Sequence, residues 1–436
     1  MQMNMSLATL KDLRSGALAG ARELRLAGCG LTEFPREIYG LSETLELLDL
    51  SFNALSSLPH DLGRLRRLRV LFCSGNRFER LPPSLGDCAA LGQVGFRGTG
   101  MREVPVEALP AQLRWLTLTD NQIETLPAAL GQRPTLRKLM LAGNALRQLP
   151  PGLAEAPGLE LLRIAANRFE ALPPWLSEHP TLAWLGCAGN PFNQIEEPAA
   201  TPVRWRDLQP GALLGQGASG LVHLALWQEN AETKPRPVAL KLFKGAMTSD
   251  GLPQHEMAAC LAAGGHPQLV GAIGRLCGHP DDLQGLLMPL IPNHWRVLAG
   301  PPSLASCTRD VYDAGLRLDA SVALRIARQI AGAVAHMHER GVLHGDLYAH
   351  NVLWDGSAGG AVLSDFGAAC LLRPARDDSL KRVEVRAFGL LVGELLELAH
   401  DETEALMILR EIQTNCVQPR PAQRPSMADI VQALAQ

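Results

Sequence analysis

Apolar residues recur in the first half of the chain at a fixed spacing, each time around one polar position. A typical unit reads L-x-x-L-x-L-x-x-N-x-L-x-x-L-P, as in residues 136–150. The polar positions follow one another at 22 or 23 residues and are Asn53, Asn76, Thr99, Asn121, Asn144, Asn167 and Asn190, with Cys29 in the first unit. Leucines at alternate positions suit a short strand with one buried face. The pattern therefore predicts eight short strands in coils that bury their apolar sides by stacking on one another.

The repeated asparagine has a structural explanation. Its side-chain amide carries both donors and an acceptor, so it can bond backbone groups that a sharp turn after the strand leaves unpaired. We therefore predict that these asparagines join neighbouring coils.

This pattern resembles the leucine-rich repeat, and its 23-residue period resembles the intracellular repeats found beside signalling domains. The resemblance implies an α/β solenoid whose parallel strands line a concave face. Aromatic side chains are common anchors of protein interfaces. We predict a protein-binding stripe on this face at Phe72, Trp115 and Trp184. The alternative is that these are scattered exposed apolar residues of the ordinary kind.

The periodicity ends after Asn190, and an acidic pair, Glu196 and Glu197, precedes two prolines. We predict a repeat domain at residues 1–197, a linker at 198–205 and a second domain at 206–436. Strand-like runs come first in the second domain, and a long helical pattern covers residues 321–341. A small mixed lobe followed by a helical lobe is expected.

Composition excludes several functional classes. With 47% hydrophobic and 19% charged residues, the chain has enough apolar mass for folded domains. Its 41 Lys and Arg nearly balance 44 Asp and Glu, so neither a nucleic acid nor a membrane partner is expected. The nine cysteines form no C-x-x-C pair, which argues against a disulfide framework and a zinc site. No run approaches a membrane span, and a cytoplasmic location is predicted.

Five short motifs follow one another in the second half. They are G-Q-G-A-S-G-L-V at 215–222, V-A-L-K at 238–241, a glutamate at 256 in a helical stretch, H-G-D-L-Y-A-H-N at 344–351 and D-F-G at 365–367. A glycine-rich turn followed by a second strand suits a hairpin over phosphates, whereas a dinucleotide site needs a helix there. A lone lysine on an edge strand is usually solvated, but Glu256 could bring a carboxylate to Lys241.

In this order the motifs resemble the eukaryotic-type protein kinase family from about Thr201 onward, and most of all its tyrosine-kinase-like group. The resemblance implies a two-lobed α+β kinase fold after the repeats. It also implies ATP and Mg²⁺ as cofactors, and transfer of the γ-phosphate to a protein hydroxyl. We predict serine or threonine as the acceptor rather than tyrosine.

The same resemblance assigns roles to individual residues. Asp346 would orient the acceptor hydroxyl and take its proton, while Lys241, tied by Glu256, would hold the α- and β-phosphates. Asn351 and Asp365 would hold the metal. The implied ATP-binding residues are Leu214, Gly215, Gly217, Gly220, Val222, Ala239, Lys241, Met288 and Leu290.

The chain departs from the family around the catalytic loop. Gly345 replaces the arginine that answers a phosphorylated activation loop, so a phosphorylation switch of that kind is not expected. Only 19 positions separate Asp365 from Glu384, and no A-P-E triplet lies between them, which leaves Arg424 without its family partner. The segment that docks a peptide substrate is therefore largely missing. Tyr348 and His350 stand where serine/threonine and tyrosine kinases carry their distinguishing basic residues.

Two other functions stay open on the sequence. The H-G-D-L string also resembles small-molecule kinases of the aminoglycoside and choline type, which lack the peptide-docking segment. A scaffold that binds ATP without turnover is the second alternative. The glycine-rich loop, the R-P-S-M tail at 424–427 and the repeats favour a protein substrate.

Overall fold

The repeats form a ladder of short parallel strands. The computed structural model describes residues 2–193, 198–245, 247–373, 376–400 and 403–435. The chain divides into two compact units, residues 1–173 and 174–436. The first unit begins with helix α1 (Gln2–Ser15) and holds seven three-residue strands. They are β1 (Glu23–Arg25), β2 (Leu47–Asp49), β3 (Val70–Phe72), β4 (Gln93–Gly95), β5 (Trp115–Thr117), β6 (Lys138–Met140) and β7 (Leu161–Arg163).

Each strand of the first unit pairs in parallel with the next, without a shift of register. Leu24 lies beside Leu48, Leu48 beside Leu71, and the series continues to Leu162. This central residue of every strand is buried, with at most 1% exposed. Short 3-10 turns join the strands, from Arg36–Leu41 to Pro151–Glu155. The predicted α/β solenoid is confirmed.

The repeated asparagines connect neighbouring coils through backbone groups. The amide nitrogen of Asn121 donates to Phe96 O at 2.8 Å and to Leu118 O at 2.9 Å. Its oxygen accepts from the amides of Thr99 and Met101 at 3.0 and 3.1 Å. Equivalent bonds to the preceding coil occur at Asn53, Asn76, Asn144 and Asn167. The predicted role of the asparagines is therefore confirmed within the first unit.

Replacing Asn121 by alanine is expected to lower the free energy of unfolding by about 2–3 kcal/mol, because buried backbone groups lose their partners. Chemical denaturation followed by circular dichroism would measure the loss. The neighbouring Gln122 has an exposed side chain, so Gln122→Ala is the matched control. Equal stability of the two variants would contradict the role of the amide.

The second unit starts with one more coil of the repeat series. It contains helix α2 (Trp175–Glu178), strand β8 (Trp184–Gly186) and Asn190, whose amide donates to Cys187 O at 2.9 Å. The predicted domain end at residue 197 and the acidic pair lie outside the described residues. The segment 198–205, predicted as a linker, includes β9 (Pro202–Arg204), which pairs in parallel with residues 275–277. Part of that segment is therefore a strand of the second unit's sheet.

The small lobe of the second unit is built on a six-stranded sheet. Its other strands are β10 (Leu208–Gln216), β11 (Gly220–Trp227), β12 (Arg236–Phe243), β13 (Gly274–Cys277) and β14 (Gly285–Met288), in the order β10-β11-β12-β14-β13-β9. One face buries a core that includes Val203, Trp227, Leu240 and Leu287. Helix α3 (Pro253–Ala263) follows β12 in the chain.

The large lobe is mainly helical. Its helices are α4 (Ala320–Glu339), α5 (Lys381–Leu398), α6 (Glu404–Cys416) and α7 (Met427–Ala435). Its short strands are β15 (Arg296–Val297), β16 (Leu318–Asp319), β17 (Val342–Leu343), β18 (Val352–Trp354), β19 (Ala361–Leu363), β20 (Cys370–Leu371) and β21 (Ala399–His400). In α4 the buried positions recur at three and four residues, which explains the predicted helix. The two-lobed α+β fold is confirmed. Across the described ranges, no helix combines the length and apolarity that crossing a bilayer requires.

Candidate active site

A glycine-rich hairpin covers one side of a cavity of about 860 Å³. Strands β10 and β11 form this hairpin, and the amide of Gly217 closes its turn by donating to Gly220 O at 3.0 Å. Eight of the nine residues predicted to bind ATP line the cavity: Leu214, Gly217, Gly220, Val222, Ala239, Lys241, Met288 and Leu290. The ninth, Gly215, is not part of its lining.

The sequence reasoning missed other apolar residues of this cavity. They include Leu224, Val270, Leu286, Trp295, Leu353 and Phe366. Leu353 lies on β18, two residues after Asn351, and alternation along that strand is a signal that could have identified it. Trp295 comes five residues after Leu290 in a loop without periodicity, so no comparable signal exists there.

Lys241 and Glu256 meet in the lining of this cavity. Lys241 lies on β12 between Val222 of β11 and Leu286 of β14, and Glu256 lies in the first turn of α3. The two side chains form an ion pair that is largely buried, with 14% and 5% exposed. Burial raises the pKa of Glu256; the Lys241 ammonium opposes this rise and the Asp365 carboxylate adds to it. The predicted pair is present.

The catalytic-loop residues are held by hydrogen bonds among themselves. The loop follows β17 and ends in the 3-10 turn Ala349–Asn351. The amide nitrogen of Asn351 donates to the backbone oxygen of Asp346 at 2.8 Å and to its Oδ2 at 2.9 Å. The Asp346 side chain stays 20% exposed. Its carboxylate is therefore fixed in direction and open to solvent, beside the cavity and not in its lining.

Glu384 of α5 anchors the start of this loop from inside the lobe. Its carboxylate accepts hydrogen bonds from the amides of His344 at 3.2 Å and Gly345 at 2.6 Å, and contacts His338 Nε2 at 2.8 Å. Burial works against the charged form, but the His338 hydrogen bond and charge, with help from His344 and Gly345, lower the pKa of Glu384. A buried carboxylate thus fixes the backbone next to Asp346.

His350 lies between Asp346 and a buried aspartate, Asp310. Its Nδ1 lies 2.7 Å from Asp310 Oδ1, and its amide donates to Asp310 Oδ2 at 2.9 Å. Its Nε2 lies 3.9 Å from Asp346 Oδ2. Burial opposes protonation, but the Asp310 hydrogen bond and charge, followed by Asp346 and Asp365, raise the pKa of His350. A histidine whose pKa is raised therefore lies next to the Asp346 carboxylate.

Ser364, the residue before Asp365, connects Asp365 to Asn351. Ser364 donates from its amide and its hydroxyl to Asn351 O, both at 2.8 Å. Asp365 has a positive φ of 61° and accepts from the amide of Gly367 at 2.9 Å. A carboxylate and a side-chain amide are oxygen donors of the kind that a hard divalent cation takes. The donor set fits such a cation when phosphate oxygens complete it.

Within the part of the chain that the structure describes, no cluster of three His, Cys, Asp or Glu side chains could hold a metal ion alone.

Trp184, predicted as a partner-binding residue, is buried with only 1% exposed. Its ring stacks on Tyr348 at 4.2 Å between centroids and an interplanar angle of 7°. The prediction is wrong for Trp184, because long-range packing covers a position that the repeat pattern orients outward. Phe72 and Trp115 keep intermediate exposure, and the Lys138 ammonium lies 4.1 Å from the centroid of the Trp115 ring.

Known proteins match the two parts of the chain separately. Residues 208–388 match the family model described as protein tyrosine and serine/threonine kinase, and residues 44–65 and 67–88 match that of the leucine-rich repeat. Human non-receptor tyrosine-protein kinase TNK1 is 32% identical over 171 residues, 38% of this chain and 23% of that protein. Mouse kinase suppressor of Ras 2 is 24% identical over 216 residues, 46% and 20% of the two chains.

The repeats have their own relatives. Mouse podocan is 35% identical over 121 residues, which are 27% of this chain and 19% of that protein. The chain thus spans less than a quarter of the length of each of these relatives. Fold, motif order and family models agree: the chain carries leucine-rich repeats followed by a domain of the protein tyrosine and serine/threonine kinase family.

Proposed function

We propose that this chain is an ATP-dependent protein kinase that transfers the γ-phosphate to a serine or threonine hydroxyl of a protein. The observation that carries the proposal is the set of groups in and beside the lining of one cavity. The Lys241–Glu256 pair and Asp365 belong to the lining, and Asn351, which Ser364 of the same lining contacts, is hydrogen-bonded to Asp346. These are the kinds of group that phosphoryl transfer uses.

Positioning and charge neutralisation account for most of the catalysis of phosphoryl transfer. Lys241, fixed by Glu256, would bind the α- and β-phosphates, and the amides of the glycine-rich hairpin would approach the phosphate oxygens. Val222 and Ala239 would enclose the adenine, since both line the apolar cavity. Asp346 would accept the proton of the acceptor hydroxyl, because its oxygen is fixed by Asn351 and open to solvent.

Asn351 and Asp365 would bind the divalent cation, which we propose to be Mg²⁺. When bound, the cation neutralises charge on the phosphates. Its preference for oxygen ligands and for a small number of protein side chains agrees with the two donors present.

Serine or threonine as the acceptor is the finer part of the proposal. His350, held by the buried Asp310, stands where tyrosine kinases carry an arginine, and Tyr348 stands where serine/threonine kinases carry a lysine. Phosphoamino-acid analysis of the labelled product would decide, and phosphotyrosine alone would contradict this part.

Transfer of label from [γ-³²P]ATP with Mg²⁺ to a mixture of proteins, or to the enzyme itself, is the expected result for the full chain. Lys241→Met should remove it. Transfer only to aminoglycosides, choline or similar small hydroxyl compounds would favour the small-molecule kinase. Binding of ATP without any transfer would favour the scaffold.

The repeats and the location complete the proposal. Leucine-rich repeats generally mediate protein interactions, and Phe72 and Trp115 are the residues that we propose for a partner. The nine cysteines form no disulfide in the described part of the chain, which supports a reducing compartment such as the cytoplasm. The near-neutral net charge of -3 supports a protein partner over nucleic acid or membrane.

A further inference from the structure

The last repeat segment, residues 180–190, packs directly on the catalytic machinery of the second unit. Trp184 contacts the catalytic loop: its ring stacks on Tyr348, and its Nε1 donates to Leu347 O at 2.9 Å. Leu347 and Tyr348 are the first two residues after Asp346. The guanidinium of Arg309 also lies over the Trp184 ring, 5.3 Å from its centroid. One tryptophan thus restrains both the backbone and a side chain of the catalytic loop.

The backbone of this segment also closes over Gly345. Gly345 has a φ of 73°, and a Cβ at this position would lie 2.5 Å from Leu185 O and 2.7 Å from Ala368 O. Only glycine fits between these two carbonyl oxygens. The absence of the family's arginine before Asp346 therefore has a steric cause in the repeat itself.

Arg424 bonds to residues 180–190 where the family has the glutamate of the A-P-E triplet. In the family this arginine pairs with the glutamate of the A-P-E triplet, which is missing here. Its guanidinium is 1% exposed and donates instead to three carbonyl oxygens, of Pro180 at 2.8 Å, Arg382 at 2.9 Å and Gln418 at 2.9 Å. Arg386 donates to Thr181 O at 3.1 Å. The repeat thus supplies backbone acceptors to a large lobe that lacks most of its own activation segment.

The other end of the segment reaches helix α3. A Cβ at Gly189 would overlap the ring of His255, which precedes Glu256 of the ion pair with Lys241. Cys187 Sγ lies 3.3 Å from Cys370 Sγ of β20, five residues after Asp365. The segment therefore contacts the catalytic loop, the strand after Asp365 and the helix that carries Glu256.

We propose that residues 180–190 act in place of an activation segment, with Trp184 as the positioning residue for the catalytic loop. This inference rests on the proposed phosphoryl transfer and names its regulation. The contacts are built into the folded chain, so the catalytic arrangement forms without phosphorylation. An inhibitory role of the same segment is the competing outcome, and the activity of Trp184 variants separates the two.

The test uses the full chain and compares Trp184→Ala, Trp184→Phe and Trp175→Ala. Trp175 is a tryptophan of the same coil whose ring contacts His179, not the catalytic loop, so it is the matched control. Trp184→Ala should lower kcat by about 10- to 100-fold while KM for ATP stays within about twofold, because the nucleotide cavity is not touched. Trp184→Phe keeps a ring for stacking and should recover part of kcat. Trp175→Ala should stay within about twofold of wild type.

Hydrogen–deuterium exchange of peptide 342–354 gives a readout that does not need activity. Trp184→Ala should raise its exchange, and Trp175→Ala should not. Unchanged or increased kcat in Trp184→Ala would overturn the proposal, as would unchanged exchange of this peptide or equal losses of kcat in both alanine variants. If Trp184→Ala does not fold, Trp184→Phe must still raise exchange at 342–354 through loss of the bond to Leu347, or the proposal fails.

The proposed phosphoryl transfer and the positioning role of Trp184 are contradicted by different results. A wild-type chain that transfers no phosphate to any acceptor would contradict the proposed function. The hydrogen–deuterium exchange of peptide 342–354 would then be the test of whether Trp184 positions the catalytic loop. Active wild-type protein with indifferent Trp184 variants would contradict only the positioning role.

Discussion

Replacement of Asp346 by asparagine is expected to lower kcat by about 10²- to 10⁴-fold, the usual contribution of a positioned general base. Asparagine keeps the size of the side chain and can still contact Asn351, but it cannot take the proton of the acceptor hydroxyl. Asp346 lies outside the lining of the nucleotide cavity, so ATP affinity should stay within about twofold. Initial rates of label transfer and titration with a fluorescent ATP analogue measure the two quantities.

Asp378→Asn is the matched control for this loss of one carboxylate. Asp378 has a 55% exposed side chain that pairs with Lys381 at 2.7 Å, away from the cavity. Its replacement should leave kcat unchanged within about twofold, since an exposed ion pair contributes little. A rate for Asp346→Asn within about tenfold of wild type would contradict its role as the base. It would then favour catalysis by positioning and charge alone.

Patterns that are local in the sequence predicted most of the fold. The 23-residue period predicts the strand, the turn and the asparagine bonds of each coil, because these features arise within a coil and between neighbouring coils. The catalytic motifs lie on short segments whose own hydrogen bonds hold them, as Asn351 holds Asp346. Eight of nine predicted nucleotide-binding residues therefore line one cavity.

Contacts between distant segments could not be predicted in the same way. Trp184 occupies an outward position of the repeat pattern, and its partner Leu347 is 163 residues away in the chain. No periodicity encodes such a contact. The sequence nevertheless shows three departures from the kinase family pattern in this region. They are a glycine before Asp346, an unmatched Arg424 and a short segment after Asp365. Each of these three departures lies where the last repeat packs, which agrees with the proposed role of residues 180–190.

Gly345→Ala is expected to destabilise the second unit strongly, with a loss of about 3 kcal/mol or more in the free energy of unfolding. A residue with a Cβ at a φ of 73° costs about 1–2 kcal/mol for its backbone conformation alone. The added methyl would also meet Leu185 O and Ala368 O, two backbone atoms that cannot rotate away. Arginine, the residue of the related kinases, should destabilise further. Thermal unfolding should show a fall in Tm of at least about 6 °C for the alanine variant.

Gly278→Ala separates the two causes of this loss. Gly278 has the same φ of 73°, and no heavy atom lies within 4 Å of the place that a Cβ would take there. It should therefore lose only the backbone contribution of about 1–2 kcal/mol. The difference between the two variants measures the close approach of Leu185 and Ala368. Equal losses would mean that residue 345 has room for a side chain, and the last repeat would then not explain why this kinase domain has glycine before its catalytic aspartate.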